Sequence, residues 1–426
     1  MGLVMLTETT HIFLEVLKVV NNVIMTALGI FYINQIYYLI MSIFLPKRKY
    51  PEAKKDHSYG IIIAARNEES VIGDLIDSIY KQNYSKDLMH IFVVADNCTD
   101  QTANIAKDRG AIVFERFNDI HKGKSYALDF AFKKIFSEYN HLCIDAFLIF
   151  DADNILDCNF VKEINKAYDA GNKVITGFRA PKNFKDSWIS GGASYMYLRE
   201  SRQVHRVRAN MRTSTYVSGT GYLIDRSIIE KDNGWKYNTL VEDIELSAEV
   251  IMKNQKIAFC EDAKFFDEQP PSLKDSYRQR LRWSKGNHQV FFKKGWNLFK
   301  SMLKRFTFSK WGMFVHILPM PALSFIWVLL FLIMGSSYYF INGVDFWYYF
   351  DNCLYIGLKD LILPTFLALL SSFIVMIQCW KLLDCNIFKK IFYMLMFPIY
   401  MAIFLPITAI ALFIKVSWKE IKHGKK

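Results

Sequence analysis

Four uncharged apolar runs enclose one long polar block, and this layout restricts the chain to folds that join a water-facing domain to membrane helices. The first run, VNNVIMTALGIFYINQIYYLIMSIFL over residues 20 to 45, exceeds the about 20 helical residues that cross a bilayer's hydrocarbon core. Lys47, Arg48 and Lys49 follow it directly. The run is long for a signal peptide, and no small-residue cleavage site precedes the basic cluster, so it is expected to stay as a membrane helix. The other runs lie at about 312 to 341, about 361 to 380 and about 391 to 414.

Basic residues orient these segments. The flank after the first helix and the hairpin carrying Lys381, Lys389 and Lys390 are expected in the cytoplasm, with the Asp345 to Asp360 loop outside. The polar block is then the cytoplasmic part of a multi-pass protein of the cell membrane. A simple final crossing would put the basic tail, Lys415 to Lys426, outside, against the charge bias; Pro398 and Pro406 offer a re-entrant hairpin that returns it.

A net charge of +12 raises nucleic acid as a partner. Many of the basic residues instead flank apolar helices or fall in FFKKGWNLFKSMLKRFTFSK at 291 to 310, where aromatic and basic positions alternate at helical spacing. That pattern suits a helix lying on an anionic leaflet, so membrane lipids are expected contacts and nucleic acid is not. The seven cysteines show no CxxC pair and no His/Cys ligand spacing. They read as reduced thiols, not as a disulfide framework or a zinc site.

The polar block, about 56 to 290, begins as alternating strands and helices. The run from Gly60 to Ala65 reads as a buried strand that ends at Arg66, Asn67 and Glu68, and VIGDLIDSIYKQ after it has a helical period. HIFVVAD and AFLIFDADN repeat the strand pattern, and TANIAKDRG and SYALDFAFKKIF the helical one. Such alternation predicts right-handed crossovers and a doubly wound, mostly parallel α/β sheet. Ligands bind beyond the carboxyl ends of these strands, and here those ends carry Asn67 and Glu68, Asp96, and Asp151 and Asp153. The first turn has no GxGxxG, which disfavours a dinucleotide fold.

Asp151 and Asp153 place hard oxygen ligands at the end of an apolar strand, suited to Mg2+ or Mn2+ bridging a diphosphate. Acidic pairs at strand ends also serve as plain turn or cap residues. Glu242 and Asp243 open the helical run DIELSAEVIMK. Acids there complement the helix dipole, or one of them takes a proton from an acceptor hydroxyl as general base. Asp243 is the better candidate, with Glu242 orienting it. Gln279, Arg282 and Trp283 stand at i, i+3 and i+4 and share one helical face. The first two can bind a diphosphate and the indole can stack on a pyranose; a basic aromatic helix facing a membrane has the same composition.

Together these residues resemble the family 2 glycosyltransferases of the membrane synthase type, which includes the cellulose, hyaluronan and poly-N-acetylglucosamine synthases. The resemblance covers about residues 56 to 290, with flanking membrane helices. It implies a GT-A fold that binds a UDP-sugar, with Asn67, Glu68, Asp96 and Lys124 (in HKGKSYALD) where nucleotide-contacting residues lie. It further implies that Asp151 and Asp153 serve metal and diphosphate, that Asp243 is the base, and that Gln279, Arg282 and Trp283 form the signature beside the acceptor site and channel entrance. Ser218, Gly219 and Thr220 match a loop that shapes the acceptor pocket. The threonine that often precedes the Glu-Asp pair is Val241 here, so a hydroxyl near the acceptor is missing. A carboxy-terminal cyclic-nucleotide sensor is not expected.

The expected organisation is a transmembrane segment at 1–50, a cytosolic GT-A domain at 51–290, an amphipathic interface helix at 291–311 and a transmembrane region with a basic tail at 312–426. The expected activity is inverting transfer from a UDP-sugar to the hydroxyl end of a growing β-linked polysaccharide, processive and coupled to translocation. A non-processive transferase acting on a membrane lipid is the nearest alternative, and an inactive membrane scaffold or transport component is the alternative of another class. So few crossings are compatible with an oligomer or an accessory membrane subunit.

Overall fold

The computed structural model describes residues 2–416, with side chains from residue 12 onward. A long helix, α1 (Gly2–Phe44), leads into strand β1 (Tyr59–Ala65). Then α2 (Ile72–Tyr80), β2 (Met89–Asp96), α3 (Thr102–Asp108), β3 (Ile112–Arg116), α4 (Lys124–Glu138) and β4 (Ala146–Asp151) alternate. The second half of the domain is less regular. It comprises β5 (Ile155–Leu156), α5 (Phe160–Asp169), β6 (Val174–Pro181), α6 (Trp188–Arg199), α7 (Arg206–Asn210), β7 (Tyr222–Asp225), α8 (Arg226–Lys231), α9 (Glu242–Met252) and β8 (Ile257–Asp267).

All eight strands join one sheet in the order β3-β2-β1-β4-β7-β6-β8-β5. β1 is parallel to β2 and β4, β2 to β3 and β6 to β8, whereas β7 runs antiparallel to β4 and β6. One face packs through Ile63, Leu75, Phe150 and Ile164, the other through Ile62, Phe132, Phe147 and Leu246. Burial on both faces explains why β1 and β4 read as continuous apolar runs without alternation. Each fully inaccessible phenylalanine, such as Phe147 or Phe150, contributes roughly 1.5–3 kcal/mol.

The chain leaves β1 toward β2 on one side and returns to β4 on the other, so the switch point of the topology lies between β1 and β4. Register sets Ala64 beside Asp151 and Ala65 beside Ala95. The carboxyl ends that carry the acidic residues therefore stop at one level.

The remainder is helical: α10 (Leu273–Lys304), α11 (Phe308–Ile317), α12 (Met320–Asn342), α13 (Phe346–Tyr349), α14 (Tyr355–Gln378), α15 (Ile387–Ala402) and α16 (Phe404–Phe413). Ser272 caps α10, its hydroxyl accepting from Asp275 N at 3.1 Å. No proline interrupts the helix before the extended backbone of Arg305. The division expected between residues 290 and 291 thus falls inside one continuous helix, which carries both Trp283 and the basic aromatic run.

Four helical segments among the described residues are long and apolar enough to cross a membrane: Ile12–Phe44, Met320–Asn342, Phe346–Gln378 and Ile387–Phe413. The first begins well before residue 20, because Glu15 and Lys18 pair with each other at 2.6 Å and do not end the helix. The last breaks at Ile403. Pro398 leaves the Met394 carbonyl without its helical donor, and Ser372 Oγ donates to that oxygen at 3.2 Å. Arg280 Nη2 donates to the Tyr400 carbonyl at 2.9 Å, beside the break. Tyr393, Phe397 and Tyr400 share a core with Phe178, Phe184 and Tyr195, which ties this segment to the sheet domain. Most of the basic tail, from residue 417, lies outside the described residues.

Candidate active site

The switch point opens into a cavity of about 720 Å³. β4 delivers Asp151 to it, and α4 begins with Lys124, whose ammonium pairs with Asp151 and donates to Gly219 O at 2.9 Å. Burial acts to raise the Asp151 carboxyl, but Lys124, with Arg179 and Arg282 beyond it, outweighs burial and holds the group below the usual carboxylate range. Asp153 is buried, and Asn154 Nδ2 donates to Asp153 Oδ1 at 3.2 Å and to Asp267 Oδ1 at 2.7 Å. Asp267 also accepts from Arg179 Nε at 2.9 Å, and the Arg179 guanidinium lies 3.6 Å from the centre of the Tyr197 ring.

The antiparallel β7 matters because its start, not its end, lies level with the end of β4, so the loop before it reaches the site. Asp151 N donates to Thr220 Oγ1 at 2.9 Å. Thr220 therefore supports the Asp-x-Asp turn from beneath and does not line the cavity, whereas Ser218 and Gly219 do. Gly219 has φ +80°, a conformation that costs glycine little, and its N–H donates to Asp243 Oδ2 at 2.5 Å.

Glu242 and Asp243 are the first residues of α9, and each is only 7% exposed. Burial, with the charge of Asp243 adding to it, pushes the Glu242 carboxyl up to about 7. Burial also raises Asp243, and the backbone N–H groups around it do not cancel that effect. Val241, where a hydroxyl was missed, has a packing role. A Cβ on Gly286 would lie 2.7 Å from Val241 Cγ1, so α10 reaches the start of α9 only because residue 286 has no side chain.

Gln279, Arg282 and Trp283 face the same cavity from α10. The Trp283 ring stands edge-on to Tyr197, with centroids 6.2 Å apart at 81°. Arg282 Nε is buried with no partner among the described residues, which leaves a donor for a ligand's oxygen. Glu68 and Asp96 also line the cavity, with Asp96 paired to Arg116. Asn67 does not line it: its backbone has φ +54°, and its Oδ1 accepts from Thr99 N at 2.8 Å, which braces the turn after β1. Sequence reasoning missed Arg179, Glu200 and Asp267. For the first and last, the available signal was a charged residue at the end of an apolar strand.

Among the described residues, no cluster of three or more His, Cys, Asp or Glu is arranged to hold a metal by itself. Asp151 and Asp153 nevertheless fit a cation that arrives with a diphosphate, since Mg2+ commonly takes one or two carboxylates, water and substrate phosphates. Nine acidic residues line the cavity against seven basic ones, a lining that added positive charge would help to match to an anionic diphosphate.

Residues 57–286 match the family described as "Glycosyltransferase like family 2". The probable glycosyltransferase YdaM of Bacillus subtilis (strain 168) is 28% identical over 271 residues, 58% of this chain and 60% of that protein. Poly-beta-1,6-N-acetyl-D-glucosamine synthase of Staphylococcus aureus (strain COL) is 24% identical over 275 residues, 63% of this chain and 64% of that protein. The chain thus spans less than two thirds of the length of these relatives. In fold, it is similar to mannosyltransferase PcManGT from Pyrobaculum calidifontis, solved in complex with GDP-Man and Mn2+, with a TM-score of 0.53 at 14% identity, over 93% of this chain and 99% of that one. The family match takes in more than half of the chain, from before β1 through both acidic motifs to Trp283 and Gly286, and this chain is therefore a family 2 glycosyltransferase, a GT-A-like domain joined to helices long and apolar enough to span a membrane.

Proposed function

We propose that the enzyme moves a sugar from a UDP-sugar to the hydroxyl end of a β-linked glycan, with inversion at the anomeric carbon and in repeated cycles. One observation carries this reading: a single cavity joins Asp151 and Asp153, the Asp243 carboxyl, the Gln279, Arg282 and Trp283 face, and residues of α1 and α12. The diphosphate lies toward Asp151 and Asp153, where Gln279 and Arg282 supply donors. A bound Mg2+ or Mn2+ would act there as a Lewis acid for the departing UDP. Lys124 keeps Asp151 anionic for that purpose.

On the opposite side, Asp243 takes the proton of the acceptor hydroxyl as its oxygen attacks the anomeric carbon and the bond to the diphosphate breaks. No sugar becomes attached to the enzyme. The Gly219 N–H holds Asp243 Oδ2 and so orients the carboxylate for the proton. Trp283 supports the terminal pyranose of the acceptor. Phe31 of α1 and Met320 and Pro321 of α12 continue the cavity wall, giving the product a route toward the membrane helices. The basic clusters at Lys47 and Lys389 support a cytoplasmic position for residues 51–290. The apolar character of that mouth, which also includes Phe404, favours a second reading, single transfer to a membrane lipid.

The test is UDP release from a panel of UDP-sugars by detergent-purified protein with Mg2+ or Mn2+. One donor is expected to turn over, with the rate falling about 10²–10⁴-fold in Asp243→Asn while UDP still binds. An unchanged rate in that variant, or wild-type protein that binds no UDP, would sink the reading. Labelled product of high mass supports the polymerase, and one labelled lipid supports single transfer.

A further inference from the structure

We propose that Arg199 and Arg208 form a subsite for a phosphate group carried by the acceptor, on the membrane side of the same cavity. The inference rests on the reading that an acceptor enters this cavity, and it adds the chemical class of that acceptor. Arg199 ends α6, and a π-helical turn over Glu200–His205 leads into α7, which carries Arg208. Both arginines line the cavity.

Arg208 is 5% exposed. Its Nε donates to Tyr38 Oη at 3.1 Å, and its guanidinium lies 5.4 Å from the ring centres of both Tyr38 and Tyr216. Its Nη1 has no partner among the described residues. Arg199 Nη2 donates to Gln35 Oε1 at 2.6 Å. Neither arginine forms an ion pair among the described residues, whereas Lys124 and Arg179 in the same cavity pair with Asp151 and Asp267. Glu200 is nearby, but its carboxyl accepts from Ser218 Oγ at 3.3 Å and lies 3.5 Å from His205 Nε2.

Arg208 is buried, Arg199 is part-buried beside it, and neither makes an ion pair with a carboxylate among the described residues. A buried guanidinium in that state is costly unless an anion completes it, and the planar fork of arginine matches phosphate oxygens. The position fixes how such a group is presented. Gln35 and Tyr38 belong to α1, a candidate membrane span, so the phosphate meets the arginines where the chain leaves the bilayer, as a lipid-borne phosphate does. Tyr216 lies three residues before Gly219, which holds Asp243. Arg208 and Asp243 line the same cavity, so an acceptor that binds its phosphate at the arginines extends into the space that Asp243 faces.

The experiment is thermal unfolding of the full chain in neutral detergent, titrated with dodecyl phosphate, glucose 1-phosphate or dodecyl glucoside, and separately with UDP and Mg2+. Dodecyl phosphate is expected to stabilise the wild type, with affinity falling about thirtyfold in Arg208→Gln and Arg199→Gln and less in Arg208→Lys. The UDP shift is expected to persist in all three, which shows that they fold. Equal stabilisation by the neutral glucoside, or undiminished dodecyl phosphate binding in both Gln variants, overturns the subsite. Binding of glucose 1-phosphate without dodecyl phosphate overturns the lipid anchor. Loss of the UDP shift from wild type removes the transferase reading instead, and the phosphate titrations still decide the subsite.

Discussion

Asp151 and Asp243 are connected through Lys124 and Gly219, since Lys124 pairs with Asp151 and bonds the Gly219 carbonyl while the Gly219 N–H bonds Asp243. Their surroundings nonetheless push the two carboxyl groups in opposite directions. Burial acts to raise both and Lys124 to lower both, and only at Asp151, where Lys124 forms a direct ion pair, does the ammonium outweigh burial. Asp151 keeps 40% of its side chain exposed and faces an ammonium, whereas Asp243 is almost wholly covered and adjoins another carboxylate. The difference supports the proposed division of the chemistry. A group held anionic suits a cation and a diphosphate, and a group with a raised pKa suits proton transfer near neutral pH.

The sharpest way to break this contrast is to neutralise each acid in turn. Asp243→Asn is expected to lose about 10²–10⁴-fold in transfer and to bind UDP with Mn2+ as the wild type does. Asp151→Asn is expected to lose that UDP affinity, by about tenfold or more where a charged contact is removed. Titration of UDP beside a turnover assay reads both, and a common loss of both properties in each variant would mean that the motifs do not divide the work.

A smaller effect is expected from Lys124→Met, which removes the neighbour and leaves both acids. The half-exposed Asp151 is screened by cavity water, so the loss is about 1 kcal/mol, roughly fivefold in affinity for UDP with Mg2+. An unchanged affinity would show that Lys124 does not set the charge of Asp151.

Sequence carried the parallel part of this site well. β1, β2 and β4 are long apolar runs whose polar ends mark the switch point, and helical spacing alone put Gln279, Arg282 and Trp283 on one face. The other strands were less legible. β3 is half-exposed and β7 only four residues long, so neither has a period to detect. Arg179 and Asp267 meet because β6 and β8 pair across most of a hundred residues, with Pro181 opposite Asp267, and no local motif records that. Asn67 was visible as a polar strand end, but its left-handed backbone and its bond to Thr99 belong to the turn. The length of α10 was hidden because the basic aromatic run continues the same helical period as the segment before it.

Gly286 tests whether the buried acid pair depends on how closely α10 approaches it. In Gly286→Ala the new methyl meets Val241 at the N-terminal edge of α9. Overpacking of this kind costs about 1–3 kcal/mol. Part of that cost is expected as a lower unfolding temperature, and part as a severalfold drop in transfer with UDP affinity retained. A variant in which UDP affinity falls and transfer per bound donor does not would place the strain on the Asp151 side.

The change expected from Glu242 is a displacement of the pH profile, where activity and stability run against each other. A base acts only when deprotonated, so kcat/KM is expected to fall about tenfold per pH unit once pH drops below the raised pKa of the acid pair. For folding, the sign is reversed. The Glu242 carboxyl has an ordinary value of 4.5 and lies at about 7 in the folded chain, so between those values the native state binds more protons than the unfolded one. Its contribution to stability is present in full below pH 4.5 and is lost as pH rises through 7. Glu242→Gln removes both the titrating group and the charge beside Asp243, so the acid limb of kcat/KM moves to lower pH and the stability slope between pH 4.5 and 7 flattens. A profile that stays in place in this variant would leave Lys124 as the feature that separates the two acidic motifs, with the Glu242 charge playing no part.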